Sequence, residues 1–318
     1  MLSAFLLRRL LATVPIAVGV ATIVFAVMRF VPGDPAALLA GPNASDDVIR
    51  AIRAEYGLDD PLVVQYVRWL GRLVRGDFGE SIFLRRPVLA EVLDRFGNTA
   101  ILGAASLALA AAGGIVAGIL AATRARSLVD RLVMFLALCG VGLPVFWTGM
   151  VLIVIFAVQL RWLPPQGMSP PVRQGPFDIV PFLILPAVTL ALPSLAFIAR
   201  VTRMSMVEVL QQDYIRAARA KGLAGHAVLW GHALKNALIP VVTIVGAQAG
   251  YLLGGAVLVE YVFGWPGLGL LIVNGINSRD YPLVQGGIVF TAFVFVIINL
   301  FVDVLYTRID PRIRYGGR

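Results

Sequence analysis

Asp213–Leu223, reading DYIRAARAKGL, has the residue types and spacing best suited to chemistry, and the chemistry is that of protein recognition. Asp213 is placed to cap a short helix that continues through Tyr214. Arg216, Arg219 and Lys221 set positive charge toward the C-terminal end, and Gly222 supplies a positive-φ stop. Ala217, Ala218 and Ala220 leave parts of the surface nearly flat, so another protein can approach closely. Long apolar segments flank this stretch. A membrane protein that keeps such a helix outside the bilayer is expected to have a soluble partner on that side.

Other chemistries fail for want of residues. The only lysines are Lys221 and Lys235 and neither follows glycine, so the chain has no GxxxxGK[ST] loop to hold ATP. Intramembrane proteolysis needs a serine with a histidine, or paired aspartates, at membrane depth. His226 and His232 are the only histidines and share one polar loop, so they read as solvated or interfacial. Neither an enzyme nor a metal site is expected. A proton- or sodium-driven pump exposes titratable groups within its spans. Here the spans hold only neutral polar groups such as Gln248 and Asn299, so uphill movement would need energy from another subunit.

The elements that must position this helix are apolar. Of 318 residues 59% are hydrophobic and 14% charged, a polytopic membrane composition. The net charge of +9 reads as loop charge that fixes topology, with no nucleic-acid partner. The single cysteine, Cys139, allows no intrachain disulfide. Six segments are long enough to span: Leu10–Met28, Thr99–Ala122, Leu132–Leu160, Ile179–Ala199, Asn236–Val259 and Tyr281–Val302. The expected fold is an all-α integral membrane protein of six helices. Gly140, Gly142 and Pro144 predict a kink or steep tilt in the third span. Pro181, Pro186 and Pro193 predict a break at the outer end of the fourth. The first span exceeds a signal-peptide core and reads as retained.

Arginine places both termini in the cytoplasm. The inner segments hold Arg8, Arg9, Arg124, Arg126, Arg131, Arg200, Arg203 and the Arg216–Lys235 group, then Arg308, Arg312, Arg314 and Arg318. The short outer loops hold only Arg161, Arg173 and Arg279. The expected organisation is a tail and first span over 1–30, a periplasmic loop over 31–98, a five-helix core over 99–307 with a cytoplasmic loop at 200–235, and a tail over 308–318. Within the first loop, Asp60-Pro61 predicts a helix start, with Leu62, Tyr66, Trp69, Leu70 and Leu73 at helical spacing. Ser45 opens an earlier helix ending at Gly57.

Gly246, Gly250 and Gly254 form a stripe in the fifth span, read either as packing within the chain or as a seam with a second subunit or the conduit. Gly113, Gly114 and Gly118 predict another close contact in the second span. The turn EYVFGWPGLG, with Phe263, Trp265, Pro266, Gly267 and Gly269, reads either as an interfacial turn or as a gating element facing the solute.

Taken in order along the chain, these residues resemble the inner-membrane permease subunit of binding-protein-dependent ABC importers for peptides. The matching segments are VPGDPA (31–36), GLDDPL with QYVRWL (57–70), RGDFGESI (75–82), DYIRAARAKGL, HALKNALIPVV (232–242), VFGWPGLG, RDYPLVQ (279–285) and DPRIRY (310–315). The resemblance implies a type I importer permease fold in the bacterial inner membrane. It also implies a second homologous permease, two cytoplasmic ATP-binding subunits that carry the ATP and Mg, a periplasmic or lipid-anchored solute-binding protein, and no cofactor on this chain. It makes Asp213–Gly222 a coupling helix of the EAA…G type, in which Ala217, Ala218 and Gly222 match and Arg216 stands at the glutamate position. Dipeptide and glutathione importers look alike at this level. Nickel-chelate or sugar import and a non-transporting scaffold are the alternatives.

Overall fold

The structure, a computed structural model, describes residues 2–30, 35–41, 44–170 and 175–309. Residues 31–34 of the VPGDPA segment, Arg173, the side chains of Arg8, Arg9 and Arg308, and everything from 310 onward, DPRIRY included, lie outside the described residues. Among the described residues the regular elements are all helices, joined by turns and loops, and the only β pairing is one isolated bridge between Glu80 and Pro87.

Five of the six apolar stretches each coincide with a single long helix that overruns it, and the third is divided between two helices. The first span lies within α1 (Leu2–Phe30), and short helices follow at α2 (Pro35–Ala40), α3 (Asp46–Tyr56) and α4 (Leu62–Val74). As expected, Ser45 stands at the start of α3 and Gly57, at φ 61°, ends it. The start of α4 differs from expectation: Pro61 is the capping residue, and Asp60 turns away to pair with Arg68 at 2.8 Å. Next, α5 (Val88–Thr123) begins well before the predicted span, inside the stretch expected to be loop.

The kink predicted in the third span is a full break. α6 (Leu128–Gly142) and α7 (Val145–Leu152), which continues as a π turn to Gln159, meet at 108°. Leu143 is extended at ψ 136°, as a residue before proline prefers. The break predicted for the fourth span does not form. A 3₁₀ turn at Pro176–Ile179 leads into one continuous helix, α8 (Val180–Leu210). Pro181 falls in the first turn, where no N–H is needed. Pro186 and Pro193 are held inside a helix whose flanks are packed, so neighbours support the weakened rungs.

Beyond α9 (Asp213–Ala220), a short α10 (Gly225–Ala227) and a π turn at Val228–Ala233 lead into α11 (Leu234–Val262). The chain closes with α12 (Leu268–Asn277) and α13 (Tyr281–Ile309). Among the described residues four helices are long and apolar enough to cross a membrane, and the bent α6–α7 pair, taken as one span, makes a fifth. In α1 the described apolar stretch is Thr13–Arg29.

The contacts divide the chain into two compact units, 1–98 with 267–297, and 99–266 with 298–318. In the first unit, α4 lays Tyr66 and Trp69 on Phe25 of α1, with ring centroids 5.3 and 5.7 Å apart. Asp280, fully buried, accepts the Ser81 hydroxyl and the Phe83 N–H, so the RGDFGESI and RDYPLVQ segments meet across 199 positions.

In the second unit α8 is the hub, packed on α6, α7 and α11. One core joins Leu102, Leu190, Leu252, Val259, Phe263 and Trp265, and another joins Ile119, Met206, Ile215, Val228 and Ala237. Gly114 and Gly118 let α5 touch α8, as the sequence predicted. A Cβ on Gly114 would lie 2.8 Å from Ile198, and one on Gly118 would lie 2.7 Å from the Ala199 carbonyl.

Candidate functional site

The basic stretch folds as predicted into one short helix, α9, held from beneath. Ile215 (fully buried) and Ala218 point down into the core formed by Ile119, Ala122, Met206, Val228, Ala233 and Ala237. Arg216, Ala217, Arg219, Ala220, Lys221 and Gly222 are all exposed. The two alanines thus separate: Ala217 is surface, and Ala218 is packing. Gly222 is the positive-φ stop, at 81°, with its N–H 3.0 Å from the Arg219 carbonyl.

Capping differs from the sequence reading. Gln212 is the capping residue, and Asp213 is the first helical residue with its side chain 94% exposed. The acid still complements the helix dipole. Arg216 reaches back over the same turn, 3.4 Å from Asp213 and 3.1 Å from the Gln211 carbonyl. Tyr214 ties the helix to α11, its hydroxyl accepting from Asn236 Nδ2 at 2.9 Å. The surface continues through Leu223 and Trp230, which is 61% exposed on the π turn beside exposed His226 and His232.

The glycine stripe on α11 rotates from interior to surface. Gly246 is half-buried, Gly250 buried, and Gly254 exposed with open space around it. Gln248 lies between them and accepts the Ser194 hydroxyl at 2.8 Å, joining α11 to α8. The contact with α8 at this level is made by Gly255, which the sequence reading passed over; a Cβ there would lie 3.1 Å from Leu190.

The turn after α11 buries its aromatic rings. Phe263 and Trp265 are 2% and 0% exposed, inside the core rather than at a surface. The Trp265 N–H donates to the Glu260 carbonyl at 2.9 Å, and the Gly167 N–H donates to Phe263 at the same distance. Gly264 supplies the required positive φ of 55°. Gly267 caps α12, and Gly269 is buried within it.

The helices run beyond the predicted span limits and so take in three charged groups: Arg203 and Glu260, which the sequence places in loops, and Asp130, which it does not single out. Asp130 is 3% exposed in the first turn of α6 and takes a two-pronged contact from Arg203 of α8 at 2.5 and 2.7 Å. It also accepts the Arg126 N–H at 2.9 Å. Glu260 is fully buried and accepts the Thr99 hydroxyl at 2.6 Å. The signal for Asp130 was present: Ser127, three residues earlier, is the cap of α6 and receives the Asp130 N–H. Among the described residues no group of three or more metal-ligating side chains occurs.

In the second unit apolar helices pack on a buried hub, with a small basic helix exposed between two of them, an arrangement that fits a polytopic membrane protein. The chain belongs to the family described as "Binding-protein-dependent transport system inner membrane component", which matches residues 114–315, and the N-terminal part of such membrane components matches residues 1–103. Among its relatives is the "Probable peptide ABC transporter permease protein" of Sinorhizobium fredii, 46% identical over 98% of this chain and 99% of that one. The glutathione transport system permease protein of Escherichia coli is 45% identical over the same shares. The dipeptide transport system permease protein of Alkalihalophilus pseudofirmus is 42% identical, also over 98% and 99%. A crystal structure of an amino acid ABC transporter with histidines shares the fold at TM-score 0.52 and 13% identity, over 69% of this chain and 94% of that one. The chain is therefore a non-enzymatic membrane component of a transporter that includes other subunits.

Proposed function

We propose that this chain is the permease subunit of an importer that carries di- or oligopeptides, glutathione among them, across the bacterial inner membrane. It pairs with a second homologous permease, receives solute from a periplasmic or lipid-anchored binding protein, and is driven by two cytoplasmic subunits that bind and hydrolyse ATP with Mg. The relatives named for peptides, dipeptides and glutathione support peptides over nickel chelates or small sugars. Both termini and the 200–235 loop face the cytoplasm, and the 31–98 region faces outward.

One observation carries this reading. α9 is anchored by two residues on one side and bare on the other, so a push on its exposed face is delivered to the core beneath. That core joins α5, α8, the π turn and α11, which puts four helical segments within reach of one small lever. The exposed strip of Ala217 and Ala220, flanked by Arg216, Arg219 and Lys221, suits a groove with acidic walls on an ATPase subunit. Glu260 and Trp265, both fully buried, fix the turn after α11, and any outer gate there acts through the turn as a rigid corner.

The test is Gly222→Pro in the complete transporter reconstituted in liposomes. Proline holds φ near −65° and cannot take the 81° of Gly222, so the end of α9 must rearrange. ATP hydrolysis should persist while dipeptide uptake falls by about tenfold or more. Normal uptake, with the variant inserted in the membrane, would refute the coupling role.

A further inference from the structure

The first unit contains a cavity of about 220 Å³ bounded by α1, α4, the 77–85 loop and the start of α13. Its wall is basic, with Arg29, Arg68, Arg72 and Arg85 set against Asp77 and Glu80. Arg68 is already engaged by Asp60, and Arg29 lies 4.9 Å over the Phe25 ring. Asp77 is turned to its own loop, accepting the Gly79 N–H at 2.9 Å. The guanidinium groups of Arg72 and Arg85 have no hydrogen-bond or ion-pair partner among the described residues.

Two buried groups on the same wall are also unsatisfied. Gln65, 8% exposed, donates its amide N–H groups to the Leu58 and Asp60 carbonyls at 2.9 and 2.7 Å. That fixes the amide and leaves Oε1 without a donor. Tyr281, 7% exposed, has a hydroxyl with no partner. Buried polar atoms are nearly always paired, so a cavity lined by two that are not, beside two unpaired guanidinium groups, suits an occupant with both an anion and a hydrogen-bond donor.

The surroundings indicate where that occupant comes from. Leu62, Val63, Val67 and Val74 of α4 are 59%, 73%, 62% and 82% exposed, although the helix is otherwise packed on the last turns of α1. Tyr66 and Trp69 stand at the same level. An amphipathic helix with a bare apolar strip and an aromatic belt at the end of a span lies in the membrane interface. There lipid phosphates are the abundant anions, and the arginine fork matches them bidentately.

We propose that this cavity binds a phospholipid headgroup, with Arg72 and Arg85 on the phosphate. Gln65 Oε1 accepts from a headgroup donor, the hydroxyls of phosphatidylglycerol or the ammonium of phosphatidylethanolamine. Phosphatidylcholine offers no such donor. The site does not depend on which solute is carried.

Native mass spectrometry of the full chain in its purified complex tests this, with defined lipids added in equal amounts. Phosphatidylglycerol or phosphatidylethanolamine should be retained about tenfold over phosphatidylcholine, and the double variant Arg72→Gln, Arg85→Gln should lose that preference while the complex melts as before. If the double variant does not assemble, displacement from the wild-type complex by lysophosphatidylglycerol gives the same reading. Equal retention of all three lipids, or an unaltered preference in the assembled double variant, overturns the proposal. So does displacement of the lipid by equimolar free glycerol 3-phosphate, which would make the source a soluble anion.

Discussion

α9 and the turn after α11 both attract notice in the sequence, yet they use their residues in opposite ways. α9 keeps Ile215 and Ala218 beneath it and presents arginine, lysine and bare alanine outward. The turn at 260–266 sends Glu260, Phe263 and Trp265 inward. In α9 the polar residues define a surface, and two apolar ones merely fix where it stands. In the turn the large side chains are structural, and little of their chemistry is left for a passing solute. The difference lies in size and solvation: rings of this area are stabilised by burial wherever a core is within reach, whereas guanidinium groups stay in water.

Substitutions can break this contrast. The largest effect is expected from Trp265→Ala, which leaves a ring-sized void in the core and should cost about 3–5 kcal/mol, read as a lowered unfolding midpoint of the purified complex. A change under about 1 kcal/mol would mean the ring is a surface group after all. Ile215→Ala comes next, at about 2–4 kcal/mol. Its loss should be local, with faster amide exchange across Asp213–Ala220 and weakened uptake. Arg216→Ala should change stability least, within about 0.5 kcal/mol, because its pair with Asp213 is solvent-exposed. Its effect should appear only when ATPase-driven uptake is assayed, and a large stability loss would show that α9 is a folding element rather than a contact surface.

How much of this was legible in the sequence differs by element. The apolar helices, the basic helix with its Gly222 stop, and the Gly114–Gly118 contact follow from hydropathy, charge and small-residue spacing. Helix ends do not, because α5 and α8 continue past the lipid-like stretch into residues that only tertiary packing makes helical. For the same reason the sequence places Arg203 and Glu260 in loops and does not single out Asp130. Their partners are 73 and 161 positions away, and no local pattern announces such pairs. Proline misled in one direction: Pro144 breaks its helix, and Pro186 and Pro193 do not, since continuity is decided by the neighbours that flank each position. The basic cavity could not be read at all, because it joins four segments scattered along the chain.

An uninterrupted α8 has a mechanical consequence. Its 31 residues make a rod about 45 Å long, stiff enough that a tilt imposed at Leu210 must reappear at Val180. Asp130 clasps that rod at Arg203, near the end where α9 begins, and so sets a pivot close to the driven tip. A lever hinged near its handle converts a small stroke into a wide sweep at the far end.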